Sequence, residues 1–115
     1  MHPFKVTVRF PNIEPDKLDD FKQAAAELIE ISKGEPGTLR YDWYMNADES
    51  ACVLHELFAN SAACMEHLVH VGARLGRLMI LGGGMDVECF GNPSSELLEV
   101  SQPLAPVIYS LMNGK

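Results

Sequence analysis

The chain has 115 residues, 47% of them hydrophobic and 22% charged, enough apolar side chain to bury one core without disulfide help. Lys and Arg number 9 against 16 Asp and Glu, a formal charge of −7, and the basic residues are scattered. That balance argues against nucleic acid or an anionic membrane as partner, because holding phosphates takes clustered cations.

Phe4 to Phe10 alternates cleanly, with Phe4, Val6, Val8 and Phe10 on one side and Lys5, Thr7 and Arg9 on the other. This predicts a first strand, closed by Pro11. A helix is expected to start at Pro15 or Asp16, since Pro and acids favour a first turn. Leu18, Phe21, Ala25, Leu28, Ile29 and Ser32 recur at three- and four-residue spacings, so one stripe of that helix faces a core, and Gly34 is expected to end it. Glu35-Pro36-Gly37 reads as a turn in which Gly37 supplies a positive φ. Leu39, Tyr41, Trp43 and Met45 then alternate with Thr38, Arg40, Asp42 and Tyr44 as a second strand. Asn46 to Ser50 carries loop chemistry, and Cys52 to Phe58 resumes the alternation as a third strand.

Asn60 or Ser61 can cap a second helix running through Cys64, Leu68 and Val71, with Gly72 expected to break or bend it. Gly82-Gly83-Gly84 is a turn, and Met85 to Phe90 alternates as a fourth strand. A short helix over Glu96 to Val100 and a last short strand over Val107 to Met112 follow a turn at Gly91-Asn92-Pro93-Ser94. The order β-α-β-β-α-β is the split βαβ, ferredoxin-like pattern, an α+β class with an antiparallel sheet and helices on one face. Residues 1–115 are read as one domain, with a C-terminal extension from about 92. Both faces of the sheet hold large side chains, so both are expected to be covered, most economically by a second copy in a twofold homodimer.

The longest apolar run, around Leu78 to Leu81, is far too short to span a bilayer. Met1 leads directly into His2-Pro3 and a strand, with no leader pattern, so the reading is a cytoplasmic protein with no membrane partner. Cys52, Cys64 and Cys89 lie on three predicted elements without C-x-x-C spacing, and are expected to be buried and reduced.

The run E-P-G-T-L-R-Y-D-W-Y at Glu35–Tyr44, the strand L-H-E-L-F at Leu54–Phe58 and the helix start N-S-A-A-C-M-E-H-L at Asn60–Leu68 resemble the antibiotic biosynthesis monooxygenase family, of the dimeric α+β barrel superfamily. The matching positions are Glu35-Pro36-Gly37, Tyr41, Glu56 with Phe58, and His67. The resemblance implies a homodimer whose sheets face each other, with a pocket in each subunit between sheet and helices. It also implies a cofactor-independent monooxygenase of phenols or hydroquinones, needing no flavin and no metal. There the substrate supplies the electrons once deprotonated, and the protein supplies a base, hydrogen bonds and a dry pocket. The haem-degrading branch fits less well, since Asn12 lies beyond the first strand and Trp43 is on a different strand from that branch's Trp.

His67 is the candidate base, because it sits beside the Cys64-Leu68-Val71 stripe and imidazole titrates near neutrality. Glu56 shares the Cys52-Leu54-Phe58 face, where a carboxylate must be paired, protonated or functional; its expected role is to orient a neighbouring ring. Tyr41 and Trp43 share a strand face and offer an aromatic wall with two donors for a small aromatic or apolar ligand, and Phe58 shapes the same pocket. Cys64, His67 and His70 do not make a metal site, since at roughly 100° per residue Cys64 and His70 diverge by about 120°. His55-Glu56 lacks the second His of a zincin motif, having Ala59 there, and no phosphate loop or nucleophile elbow is present. Two other readings stand beside the monooxygenase: a non-catalytic dimeric ligand-binding module, and an isomerase or decyclase using His67 and Glu56 without O₂.

Overall fold

A computed structural model of the chain describes residues 3–115. Its elements are β1 (Phe4–Phe10), α1 (Leu18–Lys33), β2 (Thr38–Met45), β3 (Cys52–Phe58), α2 (Ser61–Leu81), β4 (Asp86–Phe90), α3 (Ser95–Val100) and β5 (Val107–Tyr109). The sheet order is β2-β3-β1-β4-β5; the first four strands pair antiparallel, and β5 adds in parallel to the edge of β4. This is the expected ferredoxin-like α+β arrangement, extended by one strand.

The alternation read in the sequence decides the two faces. Phe4, Val6, Val8 and Phe10 of β1, Cys52, Leu54 and Phe58 of β3 and Cys89 of β4 are buried beneath the helices. The opposite face carries Lys5, Thr7, Arg9, Arg40, Asp42, Tyr44, His55 and Phe90. Helix α1 buries Phe21, Ala24, Ala25, Leu28 and Ser32, and the Ser32 hydroxyl donates to the Ile29 carbonyl at 2.7 Å. Helix α2 buries Cys64, His67, Val71, Leu78 and Leu81, and its start is capped by Asn60 Oδ1 accepting from the Ala63 N–H at 2.8 Å. No helix among the described residues is long and apolar enough to cross a membrane.

Four local expectations change. Helix α2 runs through Gly72 unbroken, because Gly72 and Gly76 sit on its open face and no packing demand acts on their missing side chains. Leu39 leaves the inward row, since a bulge between Thr38 and Arg40 turns it out to 53% exposure. The last strand stops at Tyr109. Gly37 is not one of the glycines with positive φ, and its role is steric. The turn closes through the Thr38 N–H to the Glu35 carbonyl at 3.1 Å, and a Cβ on Gly37 would meet the Ala63 Cβ at 2.4 Å. The missing side chain therefore lets this turn lie directly on the first turn of α2. Gly37→Ala is expected to destabilise the fold by about 1–3 kcal/mol in urea unfolding, as overpacking does, with partial recovery in Gly37→Ala/Ala63→Gly. An unchanged midpoint for the single variant would contradict the close-packing account.

Candidate functional site

The contact of the Gly37 turn with α2 has a chemical result, because it brings Glu35 under two histidines of that helix. His67 and His70, three residues apart, lie on one side of α2. His67 Nδ1 is 2.7 Å from Glu35 Oε1, and His70 Nδ1 is 2.6 Å from Oε2. The Thr38 hydroxyl donates to Oε1 at 2.9 Å. Burial pushes the Glu35 carboxyl up, but the bonds from His70, His67 and Thr38 outweigh it and hold the group below the usual carboxylate range. An ionised Glu35 can only accept, so Nδ1 carries the hydrogen on both rings. Burial of His67 lowers its pKa, with the Glu35 bond and charge opposing and His70 adding to the decrease. At neutral pH its Nε2 therefore presents a lone pair.

That lone pair faces Glu56, with His67 Nε2 3.5 Å from Glu56 Oε1. Glu56 is paired in register with Tyr41 on β2, and both side chains point to the helix side. Burial first, and the Glu35 charge second, push the Glu56 carboxyl up to about 8. It is thus a neutral acid at pH 7, able to donate. The result is an ionised carboxylate, a neutral imidazole and a protonated carboxyl in a row, an arrangement that can take a proton at one position and give one at the other. Tyr41 packs edge-on to His67 with ring centroids 5.0 Å apart, and its phenol is held far above its usual pKa by burial and then by Glu56 and Glu35. It acts as a neutral hydroxyl.

These groups border a cavity of about 70 Å³ between the sheet and α2, closed on another side by residues from α3 to β5. Tyr41, Trp43, Glu56 and His67 line it; almost all the rest of its wall is hydrocarbon. Trp43 is stacked on Phe10 at 5.7 Å and meets Phe21 edge-on. Its indole Nε1 is buried, and it is the one buried side-chain polar atom without a hydrogen-bond partner among the described residues. An orphan donor of this kind costs about 1–3 kcal/mol. Trp43→Phe is accordingly expected to leave thermal stability unchanged or slightly raised, since losing the unpaired N–H offsets the lost packing. A melting temperature lowered by several degrees would mean the N–H has a partner in solution.

The sequence reading placed four of five candidates at this cavity. Phe58 does not line it; it is fully buried behind His67, with ring centroids 5.4 Å apart, and against Phe4. Its ring supports the histidine rather than forming wall, because the strand direction places it beneath α2. Glu35, which holds the two histidines, is not among the site residues that the sequence suggests. Its signals there are an acid ahead of a Pro-Gly turn and a place in the family-like motif, and nothing local ties it to histidines more than 30 residues on. Among the cysteines, Cys64 and Cys89 line the cavity; all three are buried and free, and burial raises their thiols.

The model of the family described as antibiotic biosynthesis monooxygenase matches residues 3–72. Among solved structures, the chain is similar to MupZ from Pseudomonas fluorescens, with TM-score 0.71 and 24% identity over 98% of this chain and 92% of that one. It is also similar to Rv0793 from Mycobacterium tuberculosis, with TM-score 0.70 and 24% identity over 82% of this chain and 98% of that one. A conserved protein from Methanosarcina mazei Go1 aligns with TM-score 0.69 and 17% identity, covering 82% of this chain and 95% of its own. At these identities the likeness is one of fold. No curated protein sequence matches the chain.

Proposed function

The chain belongs to the antibiotic biosynthesis monooxygenase family, and from that premise we propose that it oxygenates a small phenol or hydroquinone without flavin or metal. The observation that carries this reading is the row Glu35–His67–Glu56 bordering an apolar cavity. His67 Nε2 takes the substrate's acidic proton, and Glu35 stabilises the imidazolium that forms. The electron-rich anion then reacts with O₂ at a ring carbon, and the peroxide formed takes back the proton held on His67, giving a hydroperoxide. Neutral Glu56 protonates the outer peroxide oxygen, which leaves as water as the O–O bond breaks. The carbon gives up its C–H proton to the Glu56 carboxylate so formed, and the inner oxygen becomes a carbonyl. A phenol plus O₂ thus becomes a quinone plus one water, with the substrate supplying all four electrons. Trp43 N–H and the Tyr41 hydroxyl hold substrate oxygen, and the hydrocarbon wall keeps bulk water from the peroxide.

A second reading is acid–base isomerisation or ring opening without O₂. It is favoured by the placement of His67 Nε2 3.5 Å from Glu56 Oε1 in a buried site that keeps both neutral, an acceptor–donor pair needing no oxidant. Oxygen consumption with a panel of phenols and hydroquinones separates the two. The monooxygenase reading expects uptake above the buffer blank, with one O₂ consumed per quinone formed. Turnover that persists in oxygen-free buffer supports the isomerase instead. Binding with neither uptake nor turnover across the panel favours the ligand-binding module.

We also propose a homodimer, packed through the sheet face that no helix covers. That face forms an open basin of about 990 Å³ in which apolar Tyr44, Leu57, Phe90, Tyr109, Leu111 and Met112 mix with both signs of charge. Mixed charge suits a self-complementary twofold contact. Light scattering is expected to return twice the 12.7 kDa of one chain; the single-chain mass would exclude the dimer. Three free, buried thiols support a reducing, cytoplasmic setting.

A further inference from the structure

The chemical groups of the cavity come from β2, β3 and α2, but a large part of its wall comes from elsewhere. Leu97, Leu98, Leu104, Pro106 and Ile108, all from the segment between β4 and the end of β5, face into it. This segment lies beyond the residues that the family description covers. It is fastened at both ends. The Ser94 N–H donates to Ser61 Oγ at 2.9 Å, the Gly91 N–H donates to the Tyr109 carbonyl at 2.8 Å, and β5 pairs with β4 over Val107–Tyr109. Between these fixings it contributes no unpaired polar side chain to the cavity. Its one polar lining residue, Ser101, donates its hydroxyl to the Leu98 carbonyl at 3.3 Å. Leu98 and Ile108 line the cavity and are also 40% and 37% exposed, so they stand where the cavity meets the surface.

The space itself limits the occupant. At about 10–15 Å³ of such volume per water, a 70 Å³ cavity has room for roughly five to seven waters, or a ligand of roughly ten non-hydrogen atoms. A charged group would be desolvated against hydrocarbon on nearly every side. The buried Trp43 N–H lacks an acceptor, and a ligand oxygen supplies one.

We propose that Pro93–Ile108 is the specificity-determining wall of this pocket. It sets the size of molecule admitted. The class it selects is an uncharged, mostly hydrocarbon molecule of roughly ten non-hydrogen atoms carrying one hydrogen-bond acceptor for Trp43. The proposal rests on the reading that this cavity binds the ligand, and it does not depend on which reaction follows.

Trp43 is the one tryptophan in the chain, so its emission reports cavity occupancy directly. The full chain is titrated with 2-alkanones from butanone to 2-tetradecanone. Affinity is expected to rise about three- to fourfold per methylene until the cavity is full, and then to fall. Leu98→Ala and Ile108→Ala are each expected to move that maximum one or two carbons longer, and Ile108→Phe to move it shorter. Val100→Ala, on the same helix but not lining the cavity, is expected to leave it in place. Alkanes of equal length are expected to bind at least fivefold more weakly than the ketones.

An affinity that ignores chain length overturns the proposal. So does a maximum unmoved in all three lining variants whose far-UV circular dichroism matches wild type, or one that Val100→Ala moves equally. Alkanes binding as tightly as ketones overturn the assigned ligand class. An intact ladder of affinities with no oxygen uptake rejects the monooxygenase reading alone and supports the wall.

Discussion

Turnover is expected to fall to the buffer blank in His67→Ala and by about 10²–10⁴-fold in Glu35→Gln, measured as kcat/KM on the best substrate of the panel. The two effects have different origins. In the proposed mechanism His67 carries the lone pair that takes the proton, so its removal deletes the base. Glu35 contacts His67 Nδ1 at 2.7 Å, and in the proposed mechanism it acts through that ring, fixing the Nδ1–H tautomer and stabilising the imidazolium. A glutamine keeps the shape of the turn and can still bond Thr38, but it supplies no negative charge and can offer N–H where His67 and His70 need an acceptor. The split is read in Glu35→Gln itself, where a role through His67 lowers kcat and alters the pH dependence of the rate. A KM raised with kcat unchanged would show instead that Glu35 touches substrate independently. Full activity in Glu35→Gln would remove the row of three groups from the mechanism altogether.

The second large effect is a pH dependence of stability set by Glu56. Its folded pKa lies near 8, above an unfolded value near 4.5, so between those values the native state binds the proton that the unfolded state has released. Stability from this group is therefore complete below about pH 4.5, declines as pH rises, and levels off above about 8. At 1.36 kcal/mol per unit the decline amounts to about 4–5 kcal/mol. Glu35 and His67 have the opposite sign, since both bind protons less readily when folded, and they destabilise the native state on the acid side. The comparison that isolates Glu56 is thus wild type against Glu56→Gln, by urea unfolding at pH 5 and pH 8.5. Wild type is expected to lose several kcal/mol more than the variant over that interval; parallel behaviour of the two proteins would mean Glu56 is ionised and hydrated in the fold. On the proposed mechanism the same acid also sets an upper limb on activity, which is expected to decline above pH 8 as Glu56 loses its proton.

What the chain states locally, it states well. Alternation in Phe4–Phe10, Cys52–Phe58 and Met85–Phe90 is enough to assign strands and to sort their residues between the two faces, because side chains on a strand point alternately up and down. The stripe through Phe21, Ala25 and Leu28 likewise committed α1 to the core. Tyr41, Trp43, Glu56 and His67 were visible as candidates because each carries polar chemistry at a position whose period marks it as inward. Leu39 broke the same rule, as one extra residue in a bulge turns a side chain over.

Convergence across the chain was another matter. Glu35 is 32 residues from His67 and 35 from His70, and no periodicity links a turn to a helix that distant. Their meeting depends on how closely the turn can approach α2, which the Gly37–Ala63 contact decides. The directions of the Glu56, His67 and Glu35 pKa shifts follow from burial and from partners, both of which exist only once the helix lies on the sheet. The far wall of the cavity is likewise supplied by a segment that the sequence marked only as a short helix, a linker and a strand. Apart from Leu39, the inward-facing residues are legible in the chain, because facing is a local property of a period. Only the tertiary structure decided which of them touch, because contact depends on packing between elements far apart in the chain.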